Sequence, residues 1–160
     1  MYTMNYNIRE LKKSEYDVLN KFLYHAIFIP EGIEPPPENI ILQPELQVYV
    51  KDFGKSPHDK AFAAIHDDNI IGAVWVRIMD DYGHIDDYTP SLAISVLPDY
   101  RNIGIGTDLM KAILTELKNN YERVSLSVQK ENYAFRMYRK LGFETVSETD
   151  EEFIMVCNLR

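Results

Sequence analysis

The stretch PDYRNIGIGTDLM, residues 98–110, sets two glycines, Gly104 and Gly106, between a β-like run and a helical pattern. Glycine inside a helix costs roughly 0.5–1 kcal/mol relative to alanine, so this turn has a use for bare backbone. A strand that ends in such a turn and opens a helix leaves several N–H groups unpaired and aimed at one spot. Aligned peptide dipoles make that spot an anion site, best matched by phosphate or pyrophosphate. Arg101 adds a positive charge beside it and Thr107 a hydroxyl, and a side chain at 104 or 106 would hold a phosphate off. The competing reading is a tight strand-to-helix turn that binds nothing. Two nucleotide motifs fail here. A P-loop needs lysine and then serine or threonine after its second glycine, where Thr107-Asp108 stands; a dinucleotide fold needs a third glycine and a place after the first strand.

Upstream of the turn, SLAISVLP reads as a fourth strand with Leu92, Ile94 and Val96 on one face and Ala93 and Ser95 on the other. Downstream, Leu109, Met110, Ile113, Leu114 and Leu117 form the apolar stripe of a helix that starts near Gly104. RVSLSV gives a fifth strand, Val124, Leu126 and Val128 opposite Ser125 and Ser127. NYAFRMYRKLGF predicts a helix capped by Asn132 and ended by Gly142, and two strands at about 143–148 and 152–158 close the chain. On the N-terminal side, YNIREL is a first strand. A helix follows with Ser14 as N-cap, Glu15 and Asp17 in its first turn, and Val18, Leu19, Phe22, Leu23 and Ala26 on one stripe. A proline-rich connector, residues 28–43, leads to a short helix at 44–53 and to a hairpin, AFAAIH and NIIGAVWVRIM, turned by Asp67-Asp68-Asn69. Interleaved in this way, the elements make an α/β fold: a mixed sheet with helices on its faces.

Composition bounds the function. A chain of 160 residues, 46% hydrophobic and 26% charged, is long enough for one substantial core, so residues 1–160 are expected to form a single domain. A net charge of −8 disfavours nucleic acid and anionic membrane as partners. Cys157 stands alone, which rules out an intrachain disulfide and suits a reducing cytoplasm. There is no apolar run of membrane-spanning length, and the four histidines show no metal-ligand spacing, so neither a membrane nor a metal is expected.

The signature Arg101-Asn102-Ile103-Gly104-Ile105-Gly106, following VLPDY, resembles that of the GNAT superfamily of N-acetyltransferases, and NYAFRMYRKLGF resembles the family's asparagine-to-tyrosine helix with its Gly-Phe end. The element order agrees from about residue 5 to 158. The resemblance implies a mostly antiparallel sheet whose parallel fourth and fifth strands splay apart. It implies acetyl-CoA as co-substrate, its pyrophosphate on the amides of Asn102, Ile103, Gly104, Ile105, Gly106 and Thr107, its pantetheine against the backbone of Ile94, Ser95 and Val96, and Asn132 on the same arm. It also implies that Tyr138 protonates the departing thiolate, although Tyr138 shares a stripe with Ala134, Phe135 and Leu141 where a core tyrosine would sit. Where some members carry a glutamate base, this chain has Ser127. Ser95 and Ser127 are then candidates to position a water, or merely small residues beside the arm, and Glu31, Glu34 and His84 are the remaining candidate bases. Asp80, Asp81, Asp86 and Asp87 with Glu31 and Glu34 make either an acidic mouth for an amine, carried by a small molecule or a peptide, or an ordinary solvated charge run. The closing strands offer an edge for a homodimer. A binding module that kept the cleft and lost turnover is the competing function class.

Overall fold

The structure is a computed structural model that describes residues 4–160; residues 1–3, the start of the expected domain, lie outside the described residues. Seven strands form one sheet: β1 (Asn7–Glu10), β2 (Lys60–His66), β3 (Asn69–Arg77), β4 (Ser91–Val96), β5 (Arg123–Gln129), β6 (Phe143–Glu148) and β7 (Glu152–Asn158). They are ordered β1-β2-β3-β4-β5-β7-β6, and every neighbouring pair is antiparallel except β4 and β5. Those two strands share one register pair, Ser91 with Ser125, and the Ser125 N–H donates to the Pro90 carbonyl at 3.0 Å. Beyond that bridge they part, so the sheet is split by a V that opens toward the end of β4.

Helices cover both faces: α1 (Leu19–Ala26) and α2 (Pro44–Gln47) on one, α3 (Ile105–Leu117) and α4 (Ala134–Lys140) on the other. Strand alternation divides the core accordingly. Val74, Val76, Leu92 and Leu126 pack with Leu109, Ile113 and Tyr138. Ala73 and Trp75, one residue out of phase, pack with Leu19, Phe22 and Tyr49. The hairpin turn forms as expected, Asp67 and Asp68 taking φ of +48° and +63°.

Two expectations are corrected. Ser14 is not an N-cap. Arg9 holds the Glu15 carboxylate through two bonds of 2.8 and 2.9 Å, and Glu15 Oε1 accepts the Lys12 N–H at 2.9 Å. The cap therefore moves to Lys12, and residues Lys13–Val18 wind as a 3₁₀ segment before α1. The second helix is regular only over Pro44–Gln47. Past it the Val48 and Lys51 carbonyls accept from Arg77 Nη1 at 3.1 and 2.8 Å, and Asp52 takes a φ of +55°.

Candidate active site

The helix α3 begins at Gly104, whose φ of +97° belongs to the left-handed region, and no side chain caps it. Its first internal bond runs from the Asp108 N–H to the Gly104 carbonyl at 3.1 Å, which leaves the N–H groups of Ile105, Gly106 and Thr107 without helical partners. Gly104 is required by its backbone angle. Gly106 is not required by packing, since an added Cβ would meet nothing nearer than Met137 Sδ at 3.7 Å. An added Cβ at 106 would make only ordinary contact with the flexible end of Met137. Asp108, the acidic residue in the first turn, is held by Tyr6, whose hydroxyl donates to Oδ2 at 2.5 Å. That hydrogen bond, with burial and the carboxylate's charge, pushes the Tyr6 phenol up to about 12.

From this turn a cavity of about 740 Å³ runs along the open side of β4. Ile94, Ser95 and Val96 line one wall, Arg101, Asn102, Gly104, Gly106 and Thr107 the mouth, Asn132 and Tyr138 the opposite wall, and the segment Tyr24–Ile29 with Pro35 the roof. Ladder geometry orients the β4 wall. Because the Leu97 N–H pairs with the Ile71 carbonyl at 2.9 Å, the alternation of an antiparallel pair turns the N–H and C=O groups of Ile94 and Val96 away from β3 and into the gap. The Ile103 and Ile105 side chains lie outside the cavity. Ile103 is exposed, while Ile105 is buried in the core and contributes only its backbone here.

Three candidate side chains already hold protein partners. Arg101 donates from Nε to the Val96 carbonyl at 2.8 Å and from Nη2 to the His25 carbonyl at 3.2 Å, tethering the end of α1 to the end of β4. Ser95 Oγ donates to the Phe22 carbonyl at 2.6 Å, which fastens β4 to α1. Asn132 Oδ1 accepts the Ala134 N–H at 2.9 Å, capping α4 while lining the cavity. Tyr138, by contrast, is buried against the cavity with desolvation as the one influence on its phenol, which rises well above its ordinary value. Such a hydroxyl stays protonated across the physiological range and remains a donor.

The acidic loop between β3 and β4 is less uniform than a charged mouth. Asp86 is paired with Arg123 Nη2 at 2.6 Å and accepts the Tyr88 N–H at 2.8 Å; that backbone bond, then Thr89 and Arg123, hold its carboxyl below the usual range. His84 is tied within the loop, Nδ1 to the Met79 carbonyl at 2.8 Å. Glu31 and Glu34 are exposed and stand off the cavity lining, as do Asp80 and Asp87. Asp81 also stands off that lining but is drawn inward. Burial raises its carboxyl above the ordinary value even though the Ser91 hydroxyl, the Gly83 N–H and the Tyr49 hydroxyl around it favour the charge, and its Oδ1 is buried without a hydrogen-bond partner. Tyr49 faces both Asp81 and Ser127, and its phenol is driven far up, first by burial and then by the Asp81 charge. No spacing in the sequence foretells this cluster, because its members come from three separate segments.

The cluster is firmly built. Trp75 Nε1 donates to the Tyr49 carbonyl at 3.0 Å. Arg77, held by a two-pronged pair with the fully buried Asp59 carboxylate at 3.2 Å on each prong, donates from Nη1 to the Val48 and Lys51 carbonyls and so pins the segment carrying Tyr49 to β3. Gly83 lies so close to β5 that an added Cβ would come within 3.1 Å of the Leu126 carbonyl carbon and the Ser127 nitrogen, and Ser125 Oγ donates to its carbonyl at 2.8 Å.

Known proteins share this fold. The model for the Acetyltransferase (GNAT) family matches residues 24–143. An N-alpha-acetyltransferase of Saccharolobus solfataricus is 34% identical over 108 residues, covering 61% of this chain and 62% of that protein, so the chain spans about three fifths of the relative's length. An N-acetyltransferase structure from Staphylococcus aureus Mu50 superimposes with a TM-score of 0.71 at 16% identity, over 98% of this chain and 99% of that one. The paia N-acetyltransferase of Thermoplasma acidophilum, solved in complex with coenzyme A, gives 0.67 at 21% identity, over 97% and 99%. At these identities the two structural likenesses are of fold.

Proposed function

The chain belongs to the Acetyltransferase (GNAT) family, and from that premise we propose that it transfers an acetyl group from acetyl-CoA to the primary amine of a small molecule or peptide. The observation that carries the reading is the uncapped turn at Gly104 and Gly106, with unpaired N–H groups and no side chain at either position, lining the cavity beside β4. A diphosphate fits that donor set. The N–H groups of Asn102 to Thr107 would hold it, and the cavity-facing backbone of Ile94 and Val96 would pair with the pantetheine arm, less the Val96 carbonyl that Arg101 occupies.

When bound, acetyl-CoA supplies an acyl carbon activated as a thioester. The chain's own groups do the rest. An N–H of β4 turned into the gap donates to the acyl oxygen, a contact typically worth about 3 kcal/mol where charge develops. Tyr138, kept protonated by burial, donates its proton to the departing sulfur. The amine must be neutral to attack, and its ordinary pKa is about 8 for an α-amine and about 10.4 for a lysine, so a proton has to be taken from it. Names of relatives such as the Saccharolobus N-alpha-acetyltransferase favour an α-amine acceptor. The test is acetyl transfer by the purified chain to a panel of peptide α-amines, a lysine peptide, a diamine and an amino sugar. Acetylated product with release of free thiol is expected. Tight acetyl-CoA binding with no product from any acceptor would make the protein an acyl-CoA sensor instead.

A further inference from the structure

We propose that Tyr6 is a positioning residue for the cofactor: it holds the Asp108 carboxylate aside, so that the negative charge in the first turn of α3 does not lie over the seat of the diphosphate. The inference rests on the acetyl-CoA reading above and deepens it. It starts from a conflict. A carboxylate in the first turn of a helix is stabilised by the positive end of the aligned peptide dipoles and by the N–H groups left without helical partners. A bound diphosphate uses the same end and the same donors. Asp108 is the acidic residue of that turn, and its own N–H makes the first internal bond, to the Gly104 carbonyl. Helical side chains lean back toward the N-terminus, over the residue four places earlier, so a carboxylate at 108 leans toward Gly104 and the free N–H groups beside it.

A hydroxyl from the other end of the chain resolves the conflict. Tyr6 Oη donates to Asp108 Oδ2 at 2.5 Å across a separation of 102 residues. The same oxygen lies 4.0 Å from where a Cβ on Gly104 would stand, so the bond is made at the edge of the turn itself. Gly104, Gly106 and Thr107 line the cavity, whereas Tyr6 and Asp108 do not. The carboxylate is thus one residue from the lining and turned off it. Among the described residues Tyr6 is the one side chain that bonds this carboxylate, and no lysine, arginine or histidine pairs with it. Its charge is placed rather than neutralised, and its distance from a bound anion depends on the Tyr6 hydroxyl.

Tyr6 is itself fixed. The next residue opens β1, Asn7 in register with Ile65 of β2, and the residue before it offers the Asn5 carbonyl to His66 Nδ1 at 2.6 Å. Its ring packs at the margin of the core under α3 and α4. The His66 ring lies 5.9 Å from that of Tyr100, which lines the cavity, so the segment before β1 is braced against the connection between β4 and α3. The Tyr6 phenol stays protonated at neutral pH and keeps its hydrogen for the carboxylate.

The test is a double-mutant cycle on acetyl-CoA binding, measured by calorimetry on wild type, Tyr6→Phe, Asp108→Asn and the combination. Phenylalanine keeps the ring that packs on the core and removes one exposed hydrogen bond, so the fold is retained. Tyr6→Phe should weaken acetyl-CoA about threefold to tenfold, because the released carboxylate faces a ligand with more than one negative charge. Asp108→Asn should bind at least as tightly as wild type, and in that background Tyr6→Phe should change the affinity by no more than about twofold. Between about 0.05 and 0.5 M salt the ratio of the Tyr6→Phe and wild-type dissociation constants should fall toward one, since screening acts on charge. Turnover at saturating acetyl-CoA should stay within about twofold in all four proteins, the change being confined to KM for the cofactor. A Tyr6→Phe protein that binds like wild type overturns the inference. So does a loss that persists undiminished in the Asp108→Asn background or that salt leaves unchanged, because a merely structural role would act equally in both. A wild type that does not bind acetyl-CoA brings down the seat itself, and this inference with it. One that binds acetyl-CoA but transfers acetyl to no acceptor brings down the transfer reading alone, and the binding cycle still decides the role of Tyr6.

Discussion

The glycine turn at 101–107 lines the cavity beside β4, the Tyr49–Asp81–Ser127 cluster stands off that lining, and the two are made in opposite ways. The turn is main chain. The role proposed for it follows from two missing side chains and an uncapped helix, all within seven consecutive residues. The cluster is side chains, gathered from three segments and held by buried polar bonds from Trp75, Arg77 and Ser125. A site built from backbone is pre-formed wherever the helix forms; a site built from side chains depends on packing far from it. Binding at the turn should therefore tolerate damage to the core around Trp75, and the geometry of the cluster should not.

The largest expected effect breaks the second region alone. Arg77→Ala strips a fully buried Asp59 carboxylate of its partner and frees the segment carrying Tyr49, so urea unfolding should show a loss of about 3–5 kcal/mol. Acetyl-CoA affinity of the folded fraction should stay near wild type. A comparable loss of affinity would mean that the two regions are not separable. Next, Tyr138→Phe removes the donor with little change of volume. Steady-state kinetics should give kcat down by about 10²-fold, near 2.7 kcal/mol, with KM for acetyl-CoA held within a few-fold. Should kcat survive, Tyr138 is a core tyrosine and nothing more.

Gly106→Ala sharpens the contrast because its two effects have opposite signs. The new Cβ meets only Met137 Sδ at 3.7 Å, and alanine is the better helix former, so thermal unfolding should show a gain of about 0.5–1 kcal/mol. Calorimetry should show acetyl-CoA binding about tenfold weaker, roughly 1.4 kcal/mol. The smallest effect lies away from both regions. The Arg9 hydrogen bonds, with the Lys12 N–H, hold the Glu15 carboxyl at about 2 against an ordinary 4.5. A lowered folded-state value means that its stabilisation is present above pH 4.5 and disappears as pH falls toward 2. The pair is partly exposed, so the contribution is below about 1 kcal/mol. In acid titrations of stability, Glu15→Gln should flatten the curve across that window by this small amount.

What could be read from the sequence follows the same division. Local signals held. The faces of RVSLSV, the stripe of α3, the left-handed Gly142 and the closing strands at 143–148 and 152–158 all stand where periodicity and turn chemistry put them. Partners far along the chain are not legible in this way. Ser14 loses the cap because Arg9, on β1, orients Glu15. Arg101 lines the cavity, and its bonds from Nε and Nη2 to the Val96 and His25 carbonyls show only in the fold. Ser95 appears free on the polar face until α1 packs on it. Asp81 is one of four loop aspartates in sequence, and only the fold reveals that it alone is turned inward without a donor for Oδ1. Such pairings depend on chain reversals that one sequence does not display.

The central claim, that the bare backbone from Asn102 to Thr107 seats the diphosphate of acetyl-CoA, is tested most directly by amide NMR of ¹⁵N-labelled protein during titration with acetyl-CoA. The Gly104, Ile105, Gly106 and Thr107 amides should shift strongly and saturably, with adenosine alone leaving them almost unmoved. Saturation that leaves those four resonances in place, while others move, would contradict the assignment of this turn as the cofactor's seat.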